Sequence, residues 1–398
     1  MRNGTPAVFL ATTLALSAGN AAAAPYTFTN IVEGNLSDLN DPSFNDSGTV
    51  AFAALGREIH TGIFTGSGGP ITTLYDESGP FNDLFFLTQT GTPSLNDNGT
   101  VAFVAGLDVG GEGIFTGSGR PPTTIVDTSG PFANVSDPSL NNSGTVAFRG
   151  QLDAGGQGIF TGAGGAITTI ADSSGPFTTF VVAPHINDSG TVAFVASLDV
   201  GGQGIFTGSG GAITTIADRR GPFDFFIPPV GTFFFISLNN SDTVAFWAHL
   251  DRGGQGIFTG SGGPITTIAD SSGPFQSFSQ PVINDSGTLA FAASLDAGAV
   301  GLFIGPDPLT DEVIRLGDPL FGSTLRGLEL FDEGLNNSGQ IAFRYFLDDG
   351  RIGIARADPL VTPVPEPGTL GLLAAGLLGA VLSGRRPRRG GLKAPSTT

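Results

Sequence analysis

The sequence predicts an all-β fold, a seven-bladed β-propeller of four-stranded antiparallel blades. Three observations lead to this prediction. The stretch Asn-Asp-Ser-Gly-Thr-Val-Ala-Phe at 187–194 recurs in variant form seven times. The chain of 398 residues contains 62 Gly and 33 Phe, a composition typical of short strands joined by tight turns. One strand-like segment near the start of the chain matches a strand that is missing at its end.

The copies of this stretch repeat every 45 to 52 residues. Four-stranded sheets with that period are typical of propeller blades. The alternative is a β-solenoid, but its coils are usually shorter, and its parallel stacking needs no Gly-rich hairpin turns. The copies begin at Asn45, Asn96, Asn141, Asn187, Asn239, Asn284 and Asn336.

Each copy predicts a hairpin turn. The side chain of Asn187 is expected to accept a hydrogen bond from the backbone two residues on, and Gly190 is expected to adopt a positive φ. The fifth copy has Asp242 at the glycine position. Aspartate is one of the few residues other than glycine that tolerate the left-handed conformation, so the exception fits the predicted turn.

Gly-rich turns at 198–202 and 208–211 follow in the same unit. With the strand before Asn187, the unit reads as a four-stranded antiparallel meander. Val192 and Phe194 lie on one face and Ala193 and Val195 on the other, so both faces are apolar. Such a sheet has to be covered on both sides, as it is when similar blades pack face to face.

The two ends of the repeat region predict a closed ring. The last copy stops one strand short after Arg351–Ala355, whereas Tyr26–Val32 precedes the first copy as a spare strand. We therefore predict that the N-terminal strand completes the seventh blade, which leaves no long free sheet edge. The propeller is expected to span residues 26–359.

The first and last segments predict export. Residues 1–23 have the positive start, apolar run and small residues of a signal peptide. In the tail, 360–398, an apolar run at 368–382 is too short to cross a bilayer as a helix. It lies between the motif Pro365, Glu366, Pro367 (after Val364) and the basic residues Arg385, Arg386, Arg388 and Arg389.

This three-part ending resembles the PEP-CTERM sorting signal of Gram-negative bacteria. The resemblance implies recognition by an exosortase and transient membrane association through the tail. It further implies cleavage near Pro365–Pro367 and delivery to the cell surface or the exopolysaccharide matrix. The alternative is a plain single-span anchor.

The recurring Asn-x-x-Gly-x-x-Ala-Phe also resembles a group of tandem-repeat bacterial surface proteins that carry interchangeable C-terminal anchors. The resemblance extends over about Tyr26–Pro359, and Asp242 breaks the pattern in one copy. It implies fold and location only, because no activity is assigned to that group.

Composition excludes several kinds of site. The formal net charge is −18, so nucleic acid is not expected as a partner. Cysteine is absent, which excludes disulfides, thiolate catalysis and cysteine-ligated zinc. No nucleophile elbow, His-rich metal motif or phosphate loop occurs, so no catalytic or metal-binding residues are predicted.

Acidic residues that recur at the same positions in most or several repeats are interpreted as turn residues that bind nearby backbone N–H groups. Calcium is the alternative, but the alternating aspartates of a known calcium loop are missing, so no cofactor is predicted. The recurring acids are Asp108, Asp153, Asp199, Asp251, Asp296 and Asp348 in the second turn, and Asp127, Asp172, Asp218 and Asp270 at the end of the last strand.

Only a few irregular positions could hold an active site. The cluster 56–60 combines Arg57, Glu58 and His60, and is interpreted as a variant exposed turn. His249 is expected to be packed or at the surface, since it follows Trp247 on a strand. The densest charges are Asp311, Glu312, Arg315, Arg326, Glu329, Asp332 and Glu333. Paired carboxylates for glycoside cleavage are conceivable there, but a solvated face is the preferred interpretation.

Longer segments between repeats mark one face of a repeat protein, which is often the binding face. Two of them are rich in phenylalanine, and we predict that they form an exposed apolar rim that binds glycan or protein. The alternative is extra core under a longer strand. The residues are Phe85, Phe86, Phe225, Phe226, Phe233, Phe234 and Phe235.

Together these features predict an exported surface or matrix propeller that acts as a binding or structural module, with exopolysaccharide or surface proteins as partners. The alternative function is a secreted polysaccharide hydrolase or lyase. An enzyme would place two carboxylates, or the Arg57–His60 cluster, at the mouth of the central channel.

Overall fold

The computed structural model describes residues 26–34, 38–39, 42–55, 61–84, 92–119, 121–226 and 236–360. Over these ranges the regular secondary structure is entirely β, in seven sheets arranged as a seven-bladed propeller, which confirms the predicted fold. No helix in this part of the chain is long and apolar enough to span a membrane. The predicted signal peptide, the sorting tail from residue 361 and the cluster 56–60 lie outside the described residues.

The strands are numbered in chain order. They are β1 (Tyr26–Gly34), β2 (Asp38–Leu39), β3 (Ser43–Phe44), β4 (Val50–Leu55), β5 (Gly62–Gly66), β6 (Thr72–Asp76), β7 (Phe81–Asp83), β8 (Ser94–Leu95), β9 (Val101–Leu107), β10 (Glu112–Gly117), β11 (Thr123–Asp127), β12 (Phe132–Leu140), β13 (Val146–Leu152), β14 (Gln157–Gly162), β15 (Thr168–Asp172), β16 (Phe177–Phe180) and β17 (His185–Ile186). They continue with β18 (Val192–Leu198), β19 (Gly202–Gly208), β20 (Thr214–Asp218), β21 (Phe223–Phe225), β22 (Ser237–Leu238), β23 (Val244–Leu250), β24 (Gln255–Gly260), β25 (Thr266–Asp270), β26 (Phe275–Ile283), β27 (Leu289–Leu295), β28 (Val300–Phe303), β29 (Glu312–Arg315), β30 (Pro319–Leu320), β31 (Ser323–Leu335), β32 (Ile341–Leu347) and β33 (Ile352–Pro359).

The blades are numbered in chain order, from blade 1 (β2–β6) to blade 7 (β30–β33 with β1). Each is an antiparallel meander whose first long or split strand is the innermost, and in blade 7 the short β30 also pairs with that strand. In blades 3, 6 and 7 that strand is continuous, as β12, β26 and β31. In blades 1, 2, 4 and 5 it is split into two short pieces on the same neighbour; in blade 4, for example, β16 and β17 both pair with β18. The short last piece of each split strand leads directly into the asparagine turn.

The asparagine turn has the predicted geometry. In blade 4 the Gly190 N–H donates to the Asn187 carbonyl at 3.0 Å, and the Asn187 N–H donates to the Thr191 carbonyl at 3.0 Å. Gly190 has a φ of 85°, and Asp242, its counterpart in blade 5, has a φ of 59°. The left-handed position is therefore kept even where glycine is replaced.

The strand that follows the turn is buried on both faces, as predicted. Val192, Ala193 and Phe194 are each 0% exposed. Phe194 packs in one cluster with Ile159 of blade 3 and with Phe206 of its own blade. Apolar burial of this kind, repeated at each blade interface, is the main stabilising contribution to the ring.

The N-terminal strand closes the ring, as predicted. β1 pairs antiparallel with β33, from Tyr26 opposite Pro359 to Gly34 opposite Ile352. The Thr29 hydroxyl donates to the Asp358 carboxylate at 3.0 Å. The seventh blade is thus built from both ends of the propeller.

Candidate functional site in the central channel

A closed ring of asparagines lines the central channel. In each blade the side-chain amide of the motif asparagine donates to the backbone carbonyl of the same asparagine in the next blade, at 3.0–3.1 Å. The last of these bonds joins Asn336 of blade 7 to Asn45 of blade 1. We call Asn45, Asn96, Asn141, Asn187, Asn239, Asn284 and Asn336 the asparagine ring.

The next residue of each blade forms a second ring, more exposed than the first. Each backbone N–H of this ring donates to the side chain of the same position in the following blade, at 2.7–2.9 Å. The asparagine amides also bridge neighbouring carboxylates; that of Asn142 reaches Asp97 and Asp188. The mouth ring consists of Asp46, Asp97, Asn142, Asp188, Asn240, Asp285 and Asn337.

A third layer lies two residues before the asparagine ring, and it is not uniform. Four blades carry serine, and its oxygen accepts a backbone N–H of the next blade at 2.7–3.2 Å. Blade 4 carries His185 at this position, blade 6 Val282 and blade 7 Gly334. The serines are Ser43, Ser94, Ser139 and Ser237.

Bulges in the innermost strands add polar side chains to this layer. In blades 3 and 6 two residues stand opposite one on the neighbouring strand, between Ser136 and Ser139 and between Phe278 and Pro281. In blade 7 four residues, 331–334, stand opposite one, because Leu330 pairs with Phe343 and Leu335 with Ile341. Successive residues of a strand normally point to opposite faces, and such an irregularity re-aims them. This is how the neighbours Asp332 and Glu333 both come to line the channel.

The Glu333 carboxylate bonds to blades 1 and 2 across the channel. It accepts a hydrogen bond from the Ser43 hydroxyl and another, at 2.8 Å, from the Ser94 hydroxyl. Both serine oxygens also accept backbone N–H groups of the neighbouring blades. Glu333 is therefore held by hydroxyl groups and by no cation within hydrogen-bonding distance among the described residues.

Asp332 faces His185 of blade 4. The distance from His185 Nε2 to Asp332 Oδ2 is 3.4 Å. His185 is 6% exposed, and its Nε2 has no hydrogen bond of good geometry. A buried polar atom without such a bond is unusual and calls for an explanation.

Burial and neighbouring charges perturb the pKa values of Glu333 and His185. Burial raises the pKa of Glu333 to about 7, and the neighbouring Asp332 carboxylate adds to this, against the opposing effect of the serine hydroxyls and His185. For His185, burial alone lowers the pKa, but Asp332 and then Glu333 outweigh it, so the pKa is raised. Near neutral pH the group can hold or release a proton.

Asp137, a bulge residue of blade 3 with a φ of 56°, extends the polar group. It forms an ion pair with Arg149 at 3.0 Å and accepts a hydrogen bond from the Ser136 hydroxyl at 2.9 Å. Burial raises the pKa of Asp137, with Arg149 opposing and Asp332 adding to the rise. The three acids of the channel layer thus interact electrostatically.

One cavity of about 170 Å³ connects the mouth ring with Asp332, Glu333 and His185. It also touches apolar side chains that precede the asparagine ring, including Leu140, Ile186 and Ile283. Among the described residues six acids line it, and His185 is the one lining residue of that set able to become a cation. Within the described ranges no group of three or more His, Asp or Glu residues is placed to hold a metal ion. The side chains that line the cavity offer hydrogen bonding and proton transfer.

The structure revises the interpretation of the charged segment before the last repeat. Asp332 and Glu333 do not belong to a solvated face; the bulge of β31 turns them into the channel. Glu312 and Arg315 fit that interpretation better, since they pair on the outermost strand of blade 6, where Arg315 is exposed. His185 was not identified as a functional residue from the sequence. The sequence signal that could have identified His185 is its place two residues before the motif asparagine, where four other blades carry serine.

The phenylalanines of the predicted rim are only partly described. Phe226 is 4% exposed and contacts the rings of Phe223 and Phe246, so it is a core residue, as the alternative interpretation had it. Phe225 is the last residue of β21. The other five, Phe85, Phe86, Phe233, Phe234 and Phe235, lie outside the described residues.

The acids that end the last strands bind local backbone, as predicted: Asp172 accepts the Ser174 N–H at 2.9 Å and Asp270 the Ser272 N–H at 2.9 Å. His249 is half-buried on β23, with its ring 5.0 Å from that of Trp247.

Comparison with solved structures shows the same fold. An oligogalacturonate lyase from Vibrio parahaemolyticus is 12% identical, with a TM-score of 0.51 over 84% of this chain and 96% of that one. An oligogalacturonate lyase in complex with manganese is 11% identical, with a TM-score of 0.50 over 85% and 97%. At this identity the likeness concerns the fold. No curated protein matches significantly in sequence.

Comparison with protein families gives one match in the C-terminal tail and another over most of the remaining chain. Residues 363–389 match the PEP-CTERM protein-sorting motif, which implies an exported protein that an exosortase sorts at the membrane of a Gram-negative cell. Residues 10–176 and residues 116–319, two overlapping ranges, both match the same second family. Because these matches together span more than half of the sequence, the chain belongs to the Family of unknown function (DUF7453).

Proposed function

We propose that this protein is a binding or structural propeller module displayed at the cell surface or in the exopolysaccharide matrix. The observation that carries the proposal is the sorting motif at 363–389, directly behind a propeller whose last strand ends at Pro359. A motif of this kind supplies a destination outside the cell, and the propeller supplies a rigid unit to display there. The resemblance to tandem-repeat surface proteins with interchangeable anchors supports the same location.

The destination is tested by mass spectrometry of the protein from cells with and without exosortase. Cleavage near Pro365–Pro367 in exosortase-positive cells supports the proposal, with the uncleaved tail retained in the mutant. A chain ending at Thr398 in exosortase-positive cells contradicts it. The role is tested by sedimenting the mature protein with the exopolysaccharide of the producing cell. An unrelated polysaccharide serves as the control.

A second candidate function is a polysaccharide hydrolase or lyase. One observation favours it: Asp332, Glu333 and His185 meet in the channel, and the pKa of Glu333 is about 7. A carboxyl group that titrates near neutral pH is suited to general acid or base catalysis. The acidic channel disfavours a polyanionic substrate, because like charges repel. Neutral polysaccharides are therefore the substrates to test first.

The enzyme candidate is tested by incubating the mature protein with neutral and acidic polysaccharides. Release of reducing ends indicates cleavage, and unsaturated products distinguish a lyase from a hydrolase. Activity that is lost in Glu333→Gln and kept in Asp348→Asn, an exposed turn acid of the same blade, supports catalysis in the channel. Equal activity in both variants contradicts it.

A further inference from the structure

We propose that Asp332, Glu333 and His185 form a binding site in the channel for an uncharged, hydroxyl-rich ligand about one sugar ring in size. This inference rests on the proposed binding function and names its site and ligand class. It starts from the uneven layer two residues before the asparagine ring. Four serines there bond across to the next blade, whereas His185 lacks a hydrogen bond at Nε2.

The geometry around His185 Nε2 indicates a hydroxyl group. A protonated His185 has Nε2–H as a donor, and Asp332 Oδ2 is an acceptor 3.4 Å away. A hydroxyl group accepts one hydrogen bond and donates another, so a single hydroxyl can satisfy both. An ammonium group only donates and a carboxylate only accepts, so neither can bond to both in this protonation state.

Glu333 provides a further fixed contact point. Its two oxygens are oriented by the Ser43 and Ser94 hydroxyls, so its position does not depend on a ligand. A carboxyl group already held in place binds a ligand hydroxyl without loss of side-chain entropy. The site is thus preformed by blades 1, 2, 4 and 7.

The charge of the cavity selects against anions. The mouth ring contributes Asp46, Asp97, Asp188 and Asp285, and Asp332 and Glu333 lie further inside. A uronate or a phosphate would meet this field, and the lining contributed by the described part of the chain contains no lysine or arginine. Neutral sugars avoid the repulsion and keep the hydrogen bonds.

The size and the apolar part of the cavity agree with one ring. A cavity of about 150 Å³ accommodates benzene, and the channel cavity is about 170 Å³. Leu140, Ile186 and Ile283 give it apolar surface beside the polar cluster. Polar groups make up most of the lining, as a hydroxyl-rich ligand requires. A monosaccharide or the end unit of a glycan chain meets these requirements.

Isothermal titration calorimetry of the mature secreted protein near pH 6 tests the proposal. The probes are D-glucose, D-galactose and D-mannose, with anionic D-glucuronate and cationic D-glucosamine as charged analogues. We expect at least one neutral sugar to bind, and to bind at least about tenfold more tightly than either analogue. Failure of all three neutral sugars to bind overturns the proposal, as does tighter binding of a charged analogue.

Variants locate the binding. His185→Ser, which introduces the residue of the other blades, and Glu333→Gln are each expected to weaken binding by about tenfold or more, the loss of one good hydrogen bond. Asp348→Asn, which removes an exposed charge in blade 7, should leave binding unchanged. Circular dichroism verifies folding, and Asp332→Asn replaces any variant that does not fold. Unchanged binding in the folded channel variants overturns the proposal.

Sedimentation of the same preparations with exopolysaccharide separates the two proposals. Sedimentation without any neutral sugar binding in the channel leaves the surface-binding function standing and removes this site. If the protein neither sediments with exopolysaccharide nor binds a neutral sugar, both the surface-binding function and the channel site are contradicted.

Discussion

Two positions of the repeat, only two residues apart, behave differently around the channel. At the asparagine position all seven blades carry the same residue, and the side chains form a closed ring of hydrogen bonds. Two residues earlier the blades carry Ser, Ser, Ser, His, Ser, Val and Gly. A cyclic set of bonds closes only if every blade supplies a donor and an acceptor, so the first position admits no exception.

The second position shows where the protein can differ from blade to blade. A serine there accepts a hydrogen bond from the next blade, and in blades 1 and 2 it also donates one to Glu333, but no closed ring of bonds depends on it. Blade 4 places His185 there, and blade 7 places Gly334 there, within the bulge that also carries Asp332 and Glu333. Uniform positions therefore build the ring, and variable positions next to them build the candidate site.

Breaking the uniform position should have the largest effect. Asn187→Ala removes the amide that donates to the buried Asn239 carbonyl and the oxygen that accepts the Thr191 N–H. Since buried backbone groups lose their partners, we expect the free energy of unfolding to fall by about 3 kcal/mol. Urea denaturation followed by the fluorescence of Trp247, the single tryptophan, measures it.

Asn142→Ala, in the more exposed mouth ring, is the matched control. It also removes an amide that bridges two blades, but water can replace the lost bonds. We expect a loss of about 1 kcal/mol or less. Equal losses in the two variants would show that the asparagine ring has no special role in closing the propeller.

Most of this uniform architecture was predictable from the sequence. Counting the asparagine turns predicts seven blades. Counting strands also predicts that the spare strand at Tyr26 closes the ring, which it does by pairing with β33. Even the left-handed Asp242 follows from local backbone preference. These features depend on residues that are close in sequence or repeated in register.

A change at the variable position should give a smaller effect, which depends on pH. The pKa of Glu333 is raised from 4.5 to about 7 in the folded protein. Between these values the native state keeps a proton that the unfolded chain has released, so stability falls as pH rises. His185 acts in the same direction: its raised pKa gives stability below about pH 6.5, which is lost as pH rises through the folded value.

Glu333→Gln removes the contribution of the Glu333 carboxyl group. We expect the variant to exceed the wild type in unfolding free energy by on the order of 2 kcal/mol at pH 8, and to approach it near pH 4. Thermal unfolding between these pH values measures the difference, with Asp348→Asn as the control for loss of one acidic charge. A difference that does not change with pH would place Glu333 outside a buried, titrating cluster.

The candidate site was much less predictable than the ring. Asp332 and Glu333 were recognisable as charged residues, but their direction depends on four residues of β31 standing opposite one of β32. Strand alternation from the sequence points one of two neighbouring residues away from the channel. His185 meets Asp332 only because blades 4 and 7 face each other across a closed ring, which is a property of the whole propeller.

The exception within the uniform motif gives the smallest expected effect. Asp242 takes the left-handed position of the turn at a φ of 59°, and its carboxylate accepts a hydrogen bond from the Asn187 amide at 2.8 Å. Asp242→Gly relieves the backbone strain and loses this bond, so the two changes should nearly cancel. Asp242→Ala loses the bond and keeps a Cβ at positive φ, so it should be less stable than the glycine variant by about 1 kcal/mol. Urea denaturation of the two variants measures this difference, and equal stabilities would mean that the turn does not require a left-handed residue in blade 5.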